Sequence, residues 1–538
     1  MKPAATTRAT ATVRRSGRNA VSPLAFKALA CALAGTWVGT AAGQGTGLSI
    51  PVERPILTPG IRASATYSDN VLLAPSGKED GDVIIEASPY VTAESLAPRA
   101  KYRLLYQLRN FWRVQDGDTN LFRHALNATG SFALVDDRFW VDLDGYMGTI
   151  NASAQGPISV DPASSFVNTT NIRRFSISPW YRDRLGSFAT YQLRYLVAHT
   201  AGGTNNFALA KLDQRASASV DGINDGSSPW NWRWYGEFQQ REFESNITRN
   251  RRTSGVALYY RLNPQLRVFG TVDYEQIDGL RNRDGDDFGY GPGGGFDWTP
   301  NSRTSVSASA SRRYYGTVGN ARAAYSTNRS TLGVQFSRSV FTSADASLLF
   351  FDPLSLTSGD LGTINPVMAN LLAAGIVLPV GTTLTQSLVT DAAVLDRRIT
   401  AFYGLYGARN SLTFSLFASN RESTTELAAG TAVTGIRGTG AAGSIFVGEL
   451  RERGGAVVYQ HRLDARSTID VALDQRRNSS PSAGFDTRAT TLRAGYTTRV
   501  TADTAFFGGV RHTRQTASGI GAKYDENAIY GGIDMRFR

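Results

Sequence analysis

The sequence predicts a single transmembrane antiparallel β-barrel of about 22 strands, within a range of roughly 18–24. Three observations predict this fold: the pattern of the last strand, an export signal at the N-terminus, and a hairpin unit that recurs between them. Short periplasmic turns and long extracellular loops are expected to join the strands.

The last strand alternates apolar and polar side chains. A period of two with one apolar face is typical of a strand that contacts water on one side only. Its apolar face ends on an aromatic residue and resembles the C-terminal signal that outer-membrane barrels present to the barrel-assembly machinery, although Arg538 follows it. The edge strand of a soluble sandwich is the alternative. The residues assigned to the assembly signal are Phe537, Met535, Ile533 and Ile529.

The N-terminus predicts export. Residues 1–27 contain basic but no acidic side chains, residues 28–42 are apolar and small, and Ala41-Ala42-Gly43 offers a cleavage site. This pattern is typical of a Sec signal peptide, whose apolar part is too short for a membrane anchor. Neither the twin-arginine signal suggested by Arg14-Arg15 nor the lipoprotein signal suggested by Cys31 has its expected neighbours. We therefore predict a signal peptide over 1–43, a periplasmic segment over 44–58 and the barrel over 59–538.

Composition narrows the class of protein further. Cys31 is the only cysteine, so the exported chain has no disulfide, thiolate metal ligand or cysteine nucleophile. About half of the net charge of +12 lies in the signal, and the remainder is too small to indicate nucleic-acid binding. No apolar run beyond the signal reaches the ~18 residues of a spanning helix. A membrane crossing would therefore have to use a barrel.

Hairpins recur along the chain from about residue 60. The clearest is Val256–Tyr274, in which two alternating strands flank Asn263-Pro264. Alternating the strand direction places all the predicted short turns in the periplasm. A solenoid would need a tighter fixed repeat and a propeller a blade period, and neither is present. Further short turns are predicted near 135–138, 183–187, 299–303, 339–343, 408–411, 463–467 and 501–504.

The two faces of the strands differ in chemistry. Tyr102, Leu104 and Leu108 alternate with Arg103 and Arg109, which predicts a lipid face and a polar lumen. Guanidinium groups in a narrow channel bind carboxylates and phosphates through paired hydrogen bonds. The alternative is that these arginines pair with Asp142, Asp144, Asp273, Glu275, Asp470 and Asp474 and merely solvate the wall. The residues predicted to give the lumen anion selectivity are Arg62, Arg103, Arg109, Arg113, Arg194, Arg261, Arg267, Arg493 and Arg499.

Catalysis finds little support in the sequence. The four histidines are scattered, no Gly-x-Ser-x-Gly motif frames a serine, and Asp284–Asp287 lacks the spacing of a calcium loop. Gly291–Gly295 has no following lysine or helix, so a kink or close backbone approach is favoured over a phosphate loop. We predict no enzyme, no catalytic residue, no cofactor and no metal.

One segment does not fit the regular succession of hairpins. Asp352–Asp396 is too long for an ordinary connection and contains an apolar run that predicts a short helix over 366–378. We expect either a long extracellular loop or a plug that folds into the barrel.

Three short stretches resemble one family. Ala65–Val71 and Asp82–Val91 are similar to the opening hairpin of outer-membrane proteins associated with PEP-CTERM systems, which are encoded with exosortase and exopolysaccharide genes; Gly407–Leu416 resembles another segment of that family. The resemblance implies a barrel in the outer membrane of a Gram-negative bacterium and a link to polysaccharide export. It implies no catalytic residues.

Three functions are therefore considered. The first is a conduit for an acidic polysaccharide, the second a non-conducting barrel that anchors polysaccharide or surface-protein machinery, and the least favoured a barrel-embedded hydrolase. The expected partners are outer-membrane lipid and lipopolysaccharide, the barrel-assembly machinery, an acidic polysaccharide and periplasmic export proteins. Nucleic acid is not expected.

Overall fold

A computed structural model describes the part of the chain that forms the barrel. The described residues are 56–116, 120–135, 138–151, 156–158, 168–202, 210–224, 226, 228–243, 247–280, 285–341, 394–423, 449–481, 484–519 and 521–537. Within these ranges, no helix has the length and apolar character that a membrane crossing requires.

Twenty-two strands make up this region, and their lengths run from 10 residues in β13 to 17 in β6. They are β1 Ile56–Ser68, β2 Asp82–Ala97, β3 Ala100–Arg113, β4 Asn120–Val135, β5 Phe139–Asn151, β6 Thr169–Leu185, β7 Ala189–Gly202, β8 Ala210–Gly222, β9 Trp230–Phe243, β10 Thr248–Asn263, β11 Leu266–Ile277, β12 Phe288–Asn301, β13 Thr304–Arg313, β14 Gly316–Ser326, β15 Ser330–Phe341, β16 Val394–Tyr406, β17 Asn410–Ser423, β18 Glu449–Arg462, β19 Ser467–Ser480, β20 Phe485–Arg499, β21 Thr504–Gly519 and β22 Tyr524–Arg536.

The strands close into a barrel. Each strand pairs antiparallel with the next along the chain, as in the β10–β11 hairpin. The first strand pairs with the last, with Gly60 opposite Arg536 and Ser68 opposite Ala528. Closure leaves no sheet edge, so the ladder hydrogen bonds are satisfied within the barrel. The predicted fold class and strand number are confirmed.

Alternate residues face opposite sides of the wall. On β10 and β11, Val256 and Val272 point outward and are 51% and 61% exposed, whereas Ala257 and Asp273 point inward and are 1% and 2% exposed. The predicted assembly signal also faces outward, with Ile529 58% exposed. An apolar outer face around a polar interior is the arrangement of an outer-membrane barrel.

Outward aromatic side chains mark two levels on the wall. Trp298 and Tyr325 lie within three residues of strand ends joined by short turns, and Trp230 lies at the same end of the barrel. Tyr67 and Tyr290 lie within three residues of the opposite strand ends. Such girdles sit at the two membrane interfaces. A tilted crossing uses about 9–11 residues, so the longer strands extend beyond the hydrocarbon.

The turns agree with the sequence prediction except at two places. The predicted turn at Asn263-Pro264 joins β10 to β11, but the predicted turn near 339–343 is wrong because β15 continues to Phe341. The turn lies at 327–329 instead, where the Thr327 hydroxyl accepts a hydrogen bond from the Ser330 backbone N–H at 2.9 Å. A second departure is the two-residue connection between β13 and β14, which lies at the end that otherwise bears the loops.

Some predicted segments lie outside the described residues. These are the signal peptide over 1–43, the periplasmic segment up to residue 55, and residues 352–393 of the predicted loop or plug. Val394–Asp396, which was assigned to that loop, instead forms the start of β16. The first strand begins at Ile56, ahead of the predicted barrel boundary at 59.

Candidate functional site

The strand register places all nine predicted selectivity arginines on the inward face. Their lumen position follows from their cross-strand partners, since directly paired residues share a face. For example, Phe111 is opposite the inward Glu86, so Arg109, two residues away on β3, is also inward, and Arg493 is opposite the inward Ala472. The anion selectivity assigned to these residues stays a prediction. The nine are Arg62, Arg103, Arg109, Arg113, Arg194, Arg261, Arg267, Arg493 and Arg499.

Most of these arginines contact a carboxylate. Arg109 is bidentate to Glu86, with Nε–Oε1 at 2.7 Å and Nη2–Oε2 at 3.0 Å. The lumen wall therefore contains the cross-strand ion pairs that the alternative interpretation expected, Asp142 and Asp470 among them. The other pairs are Arg194–Asp142 at 2.5 Å, Arg267–Asp297 at 2.6 Å, Arg103–Glu94 at 2.7 Å and Arg493–Asp470 at 4.0 Å.

Arg113 links β3 to β2 and to two loops at the loop end of the barrel. Its guanidinium contacts Asp82 on β2 at 3.0 Å, Asp80 in the β1–β2 loop at 2.7 Å and Asp116 in the β3–β4 loop at 2.9 Å. Val71, Ile84 and Phe111 form a buried apolar cluster in the same part of the wall. Arg113 thus takes an inward position, but its guanidinium is fully engaged with β2 and the two loops.

The remaining three predicted arginines have different surroundings. Arg62 stacks on Phe507 across the closing seam, with its guanidinium carbon 4.1 Å from the ring centroid. Arg261 donates to the Gly226 and Ser228 carbonyl oxygens in the β8–β9 turn. Arg499 is exposed near the turn end of β20.

Several luminal arginines are directly opposite one another on neighbouring strands. Like charges opposite each other in a sheet destabilise it by roughly 0.2–1 kcal/mol. Nearby carboxylates offset part of this repulsion, and a bound anion would offset more. The four pairs are Arg109–Arg123, Arg241–Arg249, Arg261–Arg267 and Arg493–Arg511.

Many inward-facing arginines in the loop-end half of the wall are absent from the set predicted from the sequence. The sequence does contain a signal for them, which is the alternation along the strand: Arg241 and Arg511 alternate with outward residues, as the predicted luminal arginines do. They were missed because register, rather than spacing within one strand, brings them together. The set comprises Arg123, Arg241, Arg249, Arg251, Arg313, Arg398, Arg421, Arg476 and Arg511.

Glycines form an inward stripe on β12. Gly289, Gly291, Gly293 and Gly295 all take lumen positions. Because these four inward positions have no side chains, residues of β11 and β13 meet across β12, and the Ser311 hydroxyl donates to Asp273 at 3.0 Å. The expected close backbone approach is present, since a Cβ at position 291 would overlap the Arg312 carbonyl oxygen.

A polar network crosses this stripe. Glu275 is 1% exposed and accepts from Tyr315 at 2.9 Å and from Arg251 at 2.7 Å, while Arg313 lies 3.5 Å away. Asp273 is contacted by Arg313 at 3.2 Å and by the Tyr235 hydroxyl. The two buried carboxylates are thus held by groups from β9, β10, β13 and the β13–β14 turn. This network makes the wall around β11 and β12 more rigid.

The two tyrosines of the β13–β14 turn remain protonated. Burial and the nearby Glu275 carboxylate raise the pKa of Tyr315 well above its usual value. The same two causes, burial first, raise the pKa of Tyr314. The Tyr315 hydroxyl therefore stays a hydrogen-bond donor to Glu275 over the physiological pH range.

Gly291→Ala is expected to destabilise the barrel by about 1–3 kcal/mol, because the new methyl group must push β12 and β13 apart. Gly270→Ala is the matched control, since its Cβ would meet nothing within 4 Å. Heat-modifiable gel mobility and urea unfolding of the detergent-folded protein would measure the difference. Equal midpoints for the two variants would contradict the close approach.

A second buried charge cluster joins β16, β17 and β18. Arg421 is 0% exposed; its Nη2 lies 2.8 Å from Glu452 and its Nε 3.6 Å from Asp396. Ser419 also donates to Asp396, at 2.6 Å, and Arg398 lies 3.9 Å from it. The cluster anchors the loop ends of three strands through a fully desolvated guanidinium.

One described segment of the β5–β6 loop reaches β21 and β22. The Ile158 backbone N–H donates to Gln515 at 3.1 Å, and the Tyr524 hydroxyl donates to the Ile158 carbonyl at 2.6 Å. Gln515 also donates to the Gly156 carbonyl at 3.1 Å. Gln515 and Tyr524 are inward and buried, so residues 156–158 lie inside the mouth of the barrel.

The four histidines do not face the described lumen. His124, His199, His461 and His512 all take outward register positions. Among the described residues, no three His, Cys, Asp or Glu side chains are arranged to hold a metal ion. Asp284, of the weak calcium-loop candidate, lies outside the described residues.

No protein-family model and no curated protein matches the sequence. Among solved structures, the chain is similar to the siderophore receptor PirA from Pseudomonas aeruginosa, with 10% identity, 89% of this chain and 80% of that chain covered, and a TM-score of 0.42. A ferric enterobactin receptor variant from the same organism has 10% identity, the same coverage and a TM-score of 0.46. An anion-selective porin from Comamonas acidovorans has 11% identity, 90% and 100% coverage and a TM-score of 0.31. No residue role is carried over from them.

Proposed function

We propose that this barrel is an outer-membrane channel for anionic, hydroxyl-rich solutes, with an acidic exopolysaccharide or its fragments as the substrate. The observation that supports it best is the set of opposed arginine pairs on the inward face. Their mutual repulsion is relieved when an anion lies between them. A cation or a neutral solute would give no such relief.

The pairs are distributed along the channel. Arg261–Arg267 lies near the turn end, whereas Arg109–Arg123 and Arg241–Arg249 lie near the loop end. An anion entering at one mouth thus meets successive guanidinium groups. Fixed positive charge between low-dielectric walls concentrates anions in the channel.

Inward aromatic rings support the saccharide part of the proposal. Tyr530 lies against Gly509, and Phe417 lies against Gly454, so their rings lie along the wall. Rings in this position expose apolar faces to the lumen, where the C–H faces of a sugar can pack. The resemblance to exopolysaccharide-associated barrels points to the same substrate class.

A non-conducting scaffold is the second candidate. Residues 156–158 bridge from the β5–β6 loop to Gln515 and Tyr524, which narrows the mouth on that side. A barrel obstructed there would anchor other proteins without passing solute. A barrel-embedded hydrolase has no supporting observation.

Location and partners complete the proposal. The protein would be exported by the predicted Sec signal, inserted by the barrel-assembly machinery and surrounded by outer-membrane lipid and lipopolysaccharide. Periplasmic export proteins would deliver the polymer at the turn end.

Current block in planar bilayers tests the substrate class. We expect oligogalacturonate to interrupt single-channel current at concentrations at least about tenfold below those needed for neutral malto-oligosaccharides of equal length, because only the acidic sugar meets the arginines. Equal block by both would reject the acidic substrate. An inserted barrel that passes no current at all, with residues 352–393 also deleted, would favour the scaffold.

A further inference from the structure

A band of outward-facing arginines lies at the loop ends of β15–β20. Arg338 on β15 and Arg397 on β16 each occupy the next outward position beyond an apolar side chain, Phe336 and Ile399 respectively. Outward arginines also lie near the loop ends of β18, β19 and β20. Beyond them, Val340 and Leu395 also take outward positions, but Leu395 is only 8% exposed, so the exposed apolar surface of β16 ends at Ile399, next to Arg397. The rest of the band is Arg453, Arg477 and Arg488.

Arginines of this band lie directly opposite one another on neighbouring strands. Arg338 is directly opposite Arg397, Arg453 is opposite Arg477, and Arg477 is opposite Arg488. Cross-strand like charges cost roughly 0.2–1 kcal/mol for each pair. An anion bound between the two members of such a pair would relieve this repulsion.

The described protein supplies little compensation. Arg477 contacts Asp486, but no described carboxylate forms an ion pair with Arg338, Arg397, Arg453 or Arg488. The Arg338 Nε is also buried without a hydrogen-bond partner in the described structure. Arg397 and Arg453 are exposed on this part of the outer wall without a described ion-pair partner, whereas the Asp486 carboxylate interacts with both Arg477 and Arg488.

The position of the band along the barrel wall indicates which ligand it binds. Side chains one step beyond the apolar belt lie among lipid headgroups, and the loop end of the barrel faces the outer leaflet. Phosphate oxygens match the guanidinium fork and accept charge-assisted hydrogen bonds from two arginines at once. A carboxylate or phosphate free in solution would lack the acyl chains that pack against Phe336 and Ile399.

We infer that Arg338 and Arg397 form the centre of a binding site for the phosphorylated headgroup of an outer-leaflet glycolipid, with Arg453, Arg477 and Arg488 extending it. The acyl chains of that lipid pack on the outward apolar residues below. The site lies on the outer surface of the barrel and is independent of the channel.

The test is lipid retention by the detergent-folded full barrel, measured by native mass spectrometry with bisphosphorylated lipid A as the probe. Arg338→Gln/Arg397→Gln should lower retention at least about tenfold, because it removes the paired donors. The control, Arg173→Gln/Arg252→Gln, removes the same charge from outward positions on β6 and β10, which have no arginine opposite them. Heat-modifiable gel mobility confirms that each variant is folded.

Three results support the inference together: the central variant loses lipid A, the control retains it, and lipid A without its phosphates binds poorly to the wild type. Equal retention by wild type and the central variant would overturn it, as would an equal loss in the control. Displacement of the lipid by millimolar inorganic phosphate would also overturn it, because the site would then bind a free anion.

Discussion

Replacing Arg421 by methionine is expected to destabilise the barrel by about 3–5 kcal/mol, a large share of the stability of a folded protein. Methionine fills a similar volume but leaves the buried Glu452 carboxylate without its guanidinium partner and Asp396 with only the more distant Arg398, at 3.9 Å. Uncompensated buried charge is costly because no water solvates it. Urea unfolding of the detergent-folded protein, followed by gel mobility, would measure the loss.

Arg477→Met is the matched control. Arg477 contacts Asp486 in a similar cross-strand pair, but its side chain is 49% exposed, so the loss should stay below about 1 kcal/mol. If the two variants unfold at the same urea concentration, the Arg421 cluster is not the buried anchor described above.

The second large effect concerns selectivity. Arg123→Gln/Arg249→Gln removes one member from each of two opposed luminal pairs, while Arg109 and Arg241 keep their carboxylates Glu86 and Asp213. The anion-to-cation permeability ratio should fall by roughly twofold or more, since the local field that concentrates anions is weaker. Folding should survive, because luminal substitutions tune permeation more than insertion.

Arg477→Gln/Arg488→Gln serves as the control for this effect. It removes the same charge from the outer wall, beyond the low-dielectric barrier of the barrel, and should leave the permeability ratio unchanged. A similar fall in both double variants would show that net charge, rather than luminal placement, sets the ratio.

Much of the architecture could be predicted because the membrane constrains it. A tilted crossing has a nearly fixed length, and lipid on one side with water on the other imposes a period of two. The alternation around Tyr102 and Arg103 therefore shows which face is which without knowledge of the partner strands. The same constraint makes the count of 22 strands accessible from the sequence.

The contacts of the luminal arginines could not be predicted in the same way. Which arginine lies opposite which depends on register, and a slip of one residue moves every side chain to the other face. Ser68 bonds Glu526 from 458 residues away, and Ile158 meets Gln515 from 357 residues away. Alternation within one strand contains no information about such distant partners.

The misplaced turn has a similar cause. Ser339 and Ser343 gave a polar signal that suggested a turn, whereas the true turn at 327–329 depends on a local hydroxyl contact between Thr327 and Ser330. Serine suits both turns and luminal strand positions, and Ser337 and Ser339 indeed face the lumen. Polarity alone does not distinguish a turn from a luminal strand position in a barrel whose interior is filled with water.

The reversal potential of the wild-type barrel under a potassium chloride gradient tests the central claim most directly. We predict a reversal potential of the sign given by chloride permeation, with a magnitude that falls towards zero at molar salt, where screening shortens to about 3 Å. A potential of the opposite sign at low salt, showing preference for potassium, would contradict the proposal that the luminal arginines select anions.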